Sequence, residues 1–157
     1  MAITKMLQKT TEASYFKGSI PMEYKYTAGV AGELFLKALR DEGKLLAGVC
    51  PECGFSYLPA RMFCERCFTG IEKFNDAGLY GILLAYTIAF ENFKGEPLDE
   101  PVVYGLINIH GTDTTLIHRL GGKNMENLCI GEEIKAILTP KNKRQGQITD
   151  ILYFEKV

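Results

Sequence analysis

The stretch Cys50-Pro-Glu-Cys53-Gly54 and the stretch Cys64-Glu-Arg-Cys67, with ten residues between Cys53 and Cys64, decide the fold of the first half of the chain. Two residues between the cysteines of a pair let both sulfurs turn towards one cation, and Gly54 permits the tight backbone that such a turn requires. Two such pairs are typical of a tetrahedral site of four thiolates. Four thiolates leave no position for water, so the sequence predicts a structural metal, with zinc favoured.

Other states of the same cysteine cluster are compatible with this spacing. The cage of four sulfurs is also able to hold iron in a rubredoxin-like redox site, and a thiol cluster without metal is a third state. Cys129 stands alone in sequence and is interpreted as a small apolar filler. These interpretations fit a reducing compartment, in which thiols persist. Disulfides between the cysteines are therefore not expected.

The composition changes after the cysteine-rich stretch. β-branched and aromatic residues recur there in short runs separated by turn-forming residues. The predicted strands are residues 79–90, 102–109, 114–120, 132–138 and 148–154. Five strands fit a small closed barrel. The interval 121–127 has room for a helical turn, at the point where OB-folds carry their helix.

One amphipathic helix is predicted over residues 30–42, before the cysteines. Apolar residues recur there at steps of three and four, and Gly43 provides a stop. Such a stripe packs on the rest of the chain or docks on a partner, and both interpretations stay open. Residues 1–29 are predicted to form a surface arm.

The fold class predicted from these patterns is mainly β, with an N-terminal helical segment, a rubredoxin-like zinc ribbon and a five-stranded OB-fold barrel. The predicted boundaries are 1–43 for the arm and helix, 44–72 for the zinc ribbon and 73–157 for the barrel.

Composition and charge narrow the classes of function. The net charge of -1 lacks the basic excess that binding to a phosphate backbone usually needs. No apolar stretch approaches the roughly 20 residues of a membrane helix, and the N-terminus lacks the apolar core of a secretory signal. The sequence therefore predicts a cytoplasmic protein without a membrane span, and its charge disfavours binding to nucleic acid.

The titratable residues do not form a recognisable catalytic set. His110 and His118 stand outside any metal-binding or nucleophile-activating spacing. Asp113 and Asp150 occur at a predicted hairpin turn and a predicted strand start, where an aspartate commonly accepts hydrogen bonds from the backbone. We therefore expect a protein that is not an enzyme.

The order of short motifs along most of the chain resembles the family of zinc-ribbon plus OB-fold acyl-CoA-associated proteins. The motifs are Tyr24-Lys-Tyr26-Thr-Ala-Gly29, Gly43-Lys44-Leu45-Leu46, the two cysteine pairs with Pro59-Ala-Arg61 between them, Tyr86-Thr87, Pro101-Val-Val-Tyr104-Gly105-Leu106, Gly111-Thr-Asp113-Thr114, Ile130-Gly131 and Thr149-Asp150-Ile151-Leu-Tyr153-Phe154. Two features depart from the family. Ala60 stands where a second proline is common, and the linker 91–100 is unusually acidic.

The resemblance implies a non-catalytic scaffold subunit that binds acyl-CoA, associates with a thiolase and aids the transfer of intermediates. In this family such a subunit sits between a thiolase and 3-hydroxy-3-methylglutaryl-CoA synthase, early in the mevalonate pathway. Phosphates of CoA need cations, and Arg61, Arg66 and Lys73 near the cysteines are the candidates.

An alternative function is that of a single-stranded nucleic-acid-binding module, because zinc ribbons and OB barrels also recur in that role. The balanced charge and the acidic linker argue against it.

Overall fold

A computed structural model describes residue 18, residues 22–122 and residues 127–157. Most of the predicted arm, residues 1–29, lies outside the described residues, as do residues 123–126 of the interval predicted to hold a helical turn. Across the described ranges, none of the helices has both the length and the apolar character to cross a membrane.

The predicted helix is confirmed as α1, Gly29–Asp41. Ala31, Phe35 and Leu39 are buried on one face, which confirms that a stripe of the helix packs on the rest of the chain. The helix stops because Gly43 adopts a positive φ of 73°, which glycine tolerates without steric cost, and donates its N–H to the carbonyl of Ala38 at 2.9 Å.

Three short strands form the sheet of the ribbon. They are β1 (Leu46–Val49), β2 (Ser56–Tyr57) and β3 (Phe74–Asp76), in the order β2-β1-β3, and both pairings are antiparallel. The third strand begins two residues after the predicted end of the ribbon at 72.

The five remaining strands close into a barrel in the order β4-β5-β6-β8-β7. They are β4 (Tyr80–Glu91), β5 (Pro97–Ile109), β6 (Leu116–Leu120), β7 (Glu133–Leu138) and β8 (Ile151–Lys156). The only parallel pairing among the described strands joins β6 to β8. The predicted mainly β fold, with one helix, a ribbon and a five-stranded barrel, is confirmed.

One apolar core joins the three parts of the molecule. Phe35 and Leu39 of α1 lie in the same buried cluster as Leu45 of the ribbon and Ile107 and Phe154 of the barrel. A shared dry core of this kind holds the helix and the ribbon in fixed positions on the barrel.

Two strand boundaries differ from the prediction for the same physical reason. Residues 148–150 form a short 3-10 turn instead of the start of β8, because the carboxylate of Asp150 accepts N–H groups from the preceding loop. The strand β6 begins at Leu116 instead of 114, because Thr114 hydrogen-bonds to the ribbon. Side chains that bind backbone groups compete with strand pairing.

The acidic stretch 91–100, interpreted from the sequence as a linker, is the tip of the β4–β5 hairpin. Glu91 of β4 lies opposite Pro97 of β5 where the two strands pair. The side chain of Asn92 accepts the N–H groups of Lys94 and Glu96 and so holds the turn. Proline is tolerated at the start of a strand, where its missing N–H is not needed.

Candidate metal centre

The two cysteine pairs lie on two turns of closely similar construction. In the first turn, Gly54 has a φ of 72° and donates its N–H to the carbonyl of Cys50 at 3.0 Å. In the second turn, Phe68 has a φ of 57° and donates its N–H to the carbonyl of Cys64 at 2.9 Å. Both turns therefore bend the chain back over their own sulfurs, and a phenylalanine takes the left-handed conformation that glycine takes in the first.

The sulfur atoms of Cys50, Cys53, Cys64 and Cys67 all lie within 4.8 Å of one another. Two of the separations are 3.4 Å, between Cys50 and Cys67, and 3.7 Å, between Cys53 and Cys64. Four sulfurs bound to one zinc ion at about 2.3 Å in a tetrahedron lie about 3.8 Å apart. The donor set and its spacing fit zinc, and the four cysteines form a zinc-ribbon site whose coordination sphere they would fill.

Half of the site is buried and half faces solvent. Cys50 and Cys64 are almost completely buried, whereas Cys53 and Cys67 are exposed. The two inner sulfurs share a small core with Tyr57 and Ile71. Because these two sulfurs are core residues, the packing of the ribbon and the closure of the metal site depend on each other.

The inner sulfur of Cys64 has a hydrogen-bond partner that sequence reasoning missed. The buried hydroxyl of Tyr57 lies 3.2 Å from Cys64 Sγ and accepts the N–H of Glu65 at 3.2 Å, and it can donate its proton to the sulfur when Cys64 is a thiolate. The N–H of Arg66 also points at Cys64 Sγ, at 3.4 Å. Tyr57 is the only tyrosine between residues 44 and 72, which is the signal that could have identified it, but the sequence does not show that its hydroxyl turns towards the sulfur.

Burial raises the pKa of the Cys64 thiol, but the hydrogen bonds from Tyr57 and from backbone N–H groups outweigh burial and lower its pKa to about 6. The hydrogen bonds of Cys67 with Cys50 and Cys64 raise the pKa of the Cys67 thiol to about 12. The sulfurs are too close to one another to become thiolates together without a cation among them. A bound dication relieves that repulsion.

The three predicted phosphate-binding cations have different surroundings. Arg61 Nη1 lies 2.6 Å from Glu65 Oε2, and the guanidinium of Arg61 stacks over the ring of Tyr57. Arg66 stacks over the ring of Phe55 at 5.0 Å. Lys73 lines a cavity of about 600 Å³ on the ribbon, together with Val49, Cys50, Pro51, Gly70 and Glu72. Of the three, Lys73 is the one at a cavity.

Two aspartates outside the metal site accept hydrogen bonds from backbone N–H groups, as expected from the sequence. Asp150 is buried, and its carboxylate accepts the N–H groups of Gln145, Gly146 and Gln147. Asp113 Oδ2 accepts the N–H of Ser56 at 2.8 Å, and Ser56 returns the contact by accepting the N–H of Asp113 at 2.9 Å. The two bonds between Asp113 and Ser56 fasten the ribbon to the barrel.

Thr114 completes this seam between the ribbon and the barrel. Its hydroxyl accepts the N–H of Leu58 at 2.7 Å and donates to the carbonyl of the same residue at 2.8 Å. Together with the two Asp113–Ser56 bonds, these contacts extend the edge strand β2 onto the loop before β6. The ribbon is therefore held by hydrogen bonds as well as by the shared apolar core.

The remaining candidates for chemistry are on the surface. Cys129 is exposed, so its interpretation as an apolar filler is wrong, and its N–H binds Glu132 Oε2 at 2.9 Å. The turn that precedes β7 brings it to solvent. His110 Nε2 lies 3.1 Å from Glu133 Oε1 in a half-exposed pair, and the ring of His118 contacts the edge of Phe154.

Comparison with known proteins agrees with this architecture. Residues 38–72 match the family profile described as ChsH2, rubredoxin-like zinc ribbon domain. No curated protein is detectably similar to the whole sequence.

Two solved structures share the fold. A protein of unknown function from the DUF35 family of Sulfolobus solfataricus is 26% identical, with a TM-score of 0.63, over 82% of this chain and 87% of that chain. A structure described as the Ltp2-ChsH2(DUF35) aldolase is 17% identical, with a TM-score of 0.57, over 78% of this chain and 91% of that chain. This chain is thus similar to the ChsH2 zinc ribbon in residues 38–72 and to solved DUF35 proteins in its fold.

Proposed function

We propose that this protein is a non-catalytic subunit that binds acyl-CoA, associates with a thiolase and with 3-hydroxy-3-methylglutaryl-CoA synthase, and aids the transfer of intermediates between them. Zinc bound by Cys50, Cys53, Cys64 and Cys67 would serve only to close the ribbon, because four thiolates leave no open position for a substrate. The cytoplasm, where such enzymes meet their substrates, is the proposed location.

The observation that carries this proposal is the combination of a ChsH2-type ribbon with a barrel that shares its fold with a ChsH2(DUF35) chain. That chain is named together with a second protein, Ltp2, in an aldolase. A role as the accessory chain of an acyl-CoA enzyme is consistent with this likeness and with the order of motifs in the sequence.

The use that the fold makes of its polar groups supports a non-catalytic role. The carboxylates of Asp113 and Asp150 are occupied by backbone N–H groups. The imidazole of His110 is paired at the surface with Glu133, at the rim of the barrel. Carboxylates that accept several backbone N–H groups position the chain and are poorly suited to exchange protons with a substrate.

The cavity beside Lys73 is our candidate for the CoA site. Its volume of about 600 Å³ lies within the usual range of small-molecule sites, and its lining includes Val49 and Pro51 as well as Lys73. An apolar wall suits the pantetheine arm and the ammonium group suits a phosphate. Glu72, which lines the same cavity, would oppose a phosphate and so limit the affinity.

Association is tested by adding the tagged full-length chain to purified thiolase and synthase from the same organism and measuring the native mass of the mixture. We expect a complex that contains the thiolase. If the thiolase and the synthase remain free at micromolar concentration, the proposed function is wrong.

Binding of CoA is tested by thermal unfolding of the zinc-loaded chain with and without acetyl-CoA. A ligand at 100 times its Kd stabilises a protein by about 2.7 kcal/mol, which raises the Tm by several degrees in a chain of this size. We expect the rise to shrink in Lys73→Ala, to grow in Glu72→Gln and to stay unchanged in the control Lys94→Ala, which is on the distant hairpin. An equal rise in the wild type and all three variants would contradict the assignment of the cavity.

The nucleic-acid alternative has its own outcome. Salt-dependent binding to single-stranded oligonucleotides, without binding to acetyl-CoA, would favour it.

A further inference from the structure

The β4–β5 hairpin runs well beyond the barrel that it helps to close. The strand β4 pairs with β7 only over Tyr80–Ile82, and β5 pairs with β6 only over Val103–Ile107. We call residues 84–102 the β4–β5 arm. Its residues 85–88 pair on one edge with β5 and have no strand partner among the described residues on the other edge, and from residue 89 to residue 102 the two described strands pair only with each other. Isolated two-stranded hairpins are marginally stable in water, so an arm of this length gains stability when something packs on it.

The apolar side chains of the arm are exposed. The exposed fractions are 42% for Tyr86, 44% for Ile88, 62% for Phe90 and 95% for Phe93. With Leu84, which is 41% exposed, the arm has five large exposed apolar side chains. Such a group on one element is the kind of patch that marks an interaction site, whereas singly scattered apolar residues do not.

Tyr86 and Ile88 are on the face of the arm that continues the barrel interior. Tyr86 lies opposite Gly105, where an added Cβ would meet the side chains of Leu120 and Leu83 in the core. Opposite residues of an antiparallel pair share a face, and residues two apart along a strand do so as well. These side chains therefore belong to the core-forming pattern of β4 but extend past the residues that would cover them.

Charge at the tip of the arm selects the kind of partner. Four carboxylates, those of Glu91, Glu96, Asp99 and Glu100, accompany one ammonium group, that of Lys94, so the arm has a net charge of -3 (one positive against four negative). Lys94 Nζ lies 5.7 Å from the ring of Phe93 at the extreme tip. Such a tip repels phosphate backbones and anionic lipid surfaces and attracts lysine and arginine side chains.

We propose that the β4–β5 arm docks in an apolar groove, rimmed by lysine and arginine, on a folded partner protein. The exposed side chains of Tyr86, Ile88 and Phe90 fill the groove, and the carboxylates of the tip pair with its rim. This inference rests on the proposed function, under which the partner is the thiolase.

The test is the affinity of the full-length, zinc-loaded chain for the purified thiolase of the same organism, measured by biolayer interferometry. We expect Ile88→Ser/Phe90→Ser to weaken the affinity at least tenfold, because buried aromatic and aliphatic anchors dominate protein interfaces. The control Leu152→Ser removes a leucine that is 45% exposed on β8, which pairs with β6 and β7 and not with the strands of the arm, and we expect it to bind within twofold of the wild type. Circular dichroism and zinc content check that every variant is folded.

A second variant, Asp99→Lys/Glu100→Lys, tests the rim without changing the apolar face. We expect its association rate to fall several-fold at low salt and to lose most of its dependence on ionic strength, as happens when steering charges are removed. Wild-type rates that do not change with salt would contradict the basic rim.

The outcomes separate this inference from the proposed function. Thiolase binding by the wild type that both arm variants retain would overturn the docking arm and leave the function standing. Absence of thiolase binding by the wild type would overturn both. Self-association of the wild type in sedimentation, lost in Ile88→Ser/Phe90→Ser, would assign the arm to a second copy of this chain and also overturn the proposal.

Discussion

The ribbon and the barrel are stabilised by different means, although they share a boundary. The core of the ribbon consists of four buried residues, of which two are the metal-site cysteines Cys50 and Cys64. The barrel buries Leu83, Ile107, Ile109, Ile134 and Phe154 completely, along strands that close on themselves. The ribbon is too small to fold on apolar burial and needs its ion, whereas the barrel does not.

The largest effect that distinguishes the two regions should follow from Cys64→Ser. A structural zinc ion contributes about 10–16 kcal/mol of binding free energy in zinc-finger peptides, so losing a buried ligand should abolish the ribbon fold. We expect hydrogen exchange to show loss of amide protection in β1–β3 with protection in β4–β8 retained. The control is Cys129→Ser, which removes an exposed thiol outside the site and should leave both regions protected. Loss of protection throughout the chain would mean that the barrel also depends on the metal.

The converse perturbation is Phe154→Ala in the barrel. Phe154 is completely buried between β6 and β7, and removal of such a ring costs about 3–5 kcal/mol through lost burial and the cavity left behind. We expect urea unfolding to show this loss while the zinc content stays at the wild-type level. Leu152→Ala, at a site that is 45% exposed on the same strand, should cost less than half as much. Equal losses would mean that the core of the barrel does not dominate its stability.

A smaller effect, dependent on pH, should follow from Asp150→Asn in the segment that connects β7 to β8. Burial raises the pKa of Asp150, but the backbone N–H groups of Gln145, Gly146 and Gln147, together with the charge of Arg144, outweigh burial and lower its pKa. The unfolded-state pKa is about 3.9, so the carboxylate stabilises the fold fully above that pH and loses this contribution as the pH falls through the folded-state pKa.

We therefore expect Asp150→Asn to lower the free energy of unfolding by about 1–3 kcal/mol at pH 7. The difference from the wild type should shrink below pH 4, measured by chemical unfolding of both proteins at each pH. The control Asp99→Asn, on the exposed hairpin tip, should behave as the wild type. A difference that is constant from pH 7 to pH 3 would mean that the charge of Asp150 is not the stabilising feature.

The smallest effect is a gain of stability in the ribbon. Phe68 holds a positive φ at the position equivalent to Gly54 and is 83% exposed, so its side chain adds little burial to offset the backbone strain. Phe68→Gly should raise the Tm of the zinc-loaded ribbon by an amount equivalent to about 0.5–1 kcal/mol, because a left-handed residue with a Cβ costs about 1–2 kcal/mol. Phe63→Gly, in the extended bridge with Gly70, should lower it. A destabilised Phe68→Gly would mean that the exposed ring contributes to the fold.

The sequence was sufficient to predict the parts of this fold that depend on local patterns. The helix α1 follows from apolar periodicity, the five barrel strands follow from runs of β-forming residues between turn formers, and the four sulfurs follow from spacing alone. The acidic tip of the β4–β5 hairpin was interpreted as a linker, because four carboxylates between residues 91 and 100 obscure the alternation of a strand.

The contacts that fix the ribbon on the barrel could not be predicted, because they join residues that are far apart in sequence. Thr114 and Leu58 are 56 positions apart, and Asp113 and Ser56 are 57 apart. The bond from Tyr57 to Cys64 depends in the same way on tertiary packing, which places one hydroxyl among several aromatic rings next to the buried sulfur. Local periodicity contains no information about such pairs.

The central claim is that four sulfurs clamp one structural zinc ion and thereby hold the ribbon in place. The most direct test is the metal content of the purified full-length chain by inductively coupled plasma mass spectrometry, beside Cys64→Ser. The account predicts a colourless wild type with one zinc per chain and a variant with almost none. A red, iron-containing wild type, or a metal-free wild type whose ribbon amides are nevertheless protected, would contradict it.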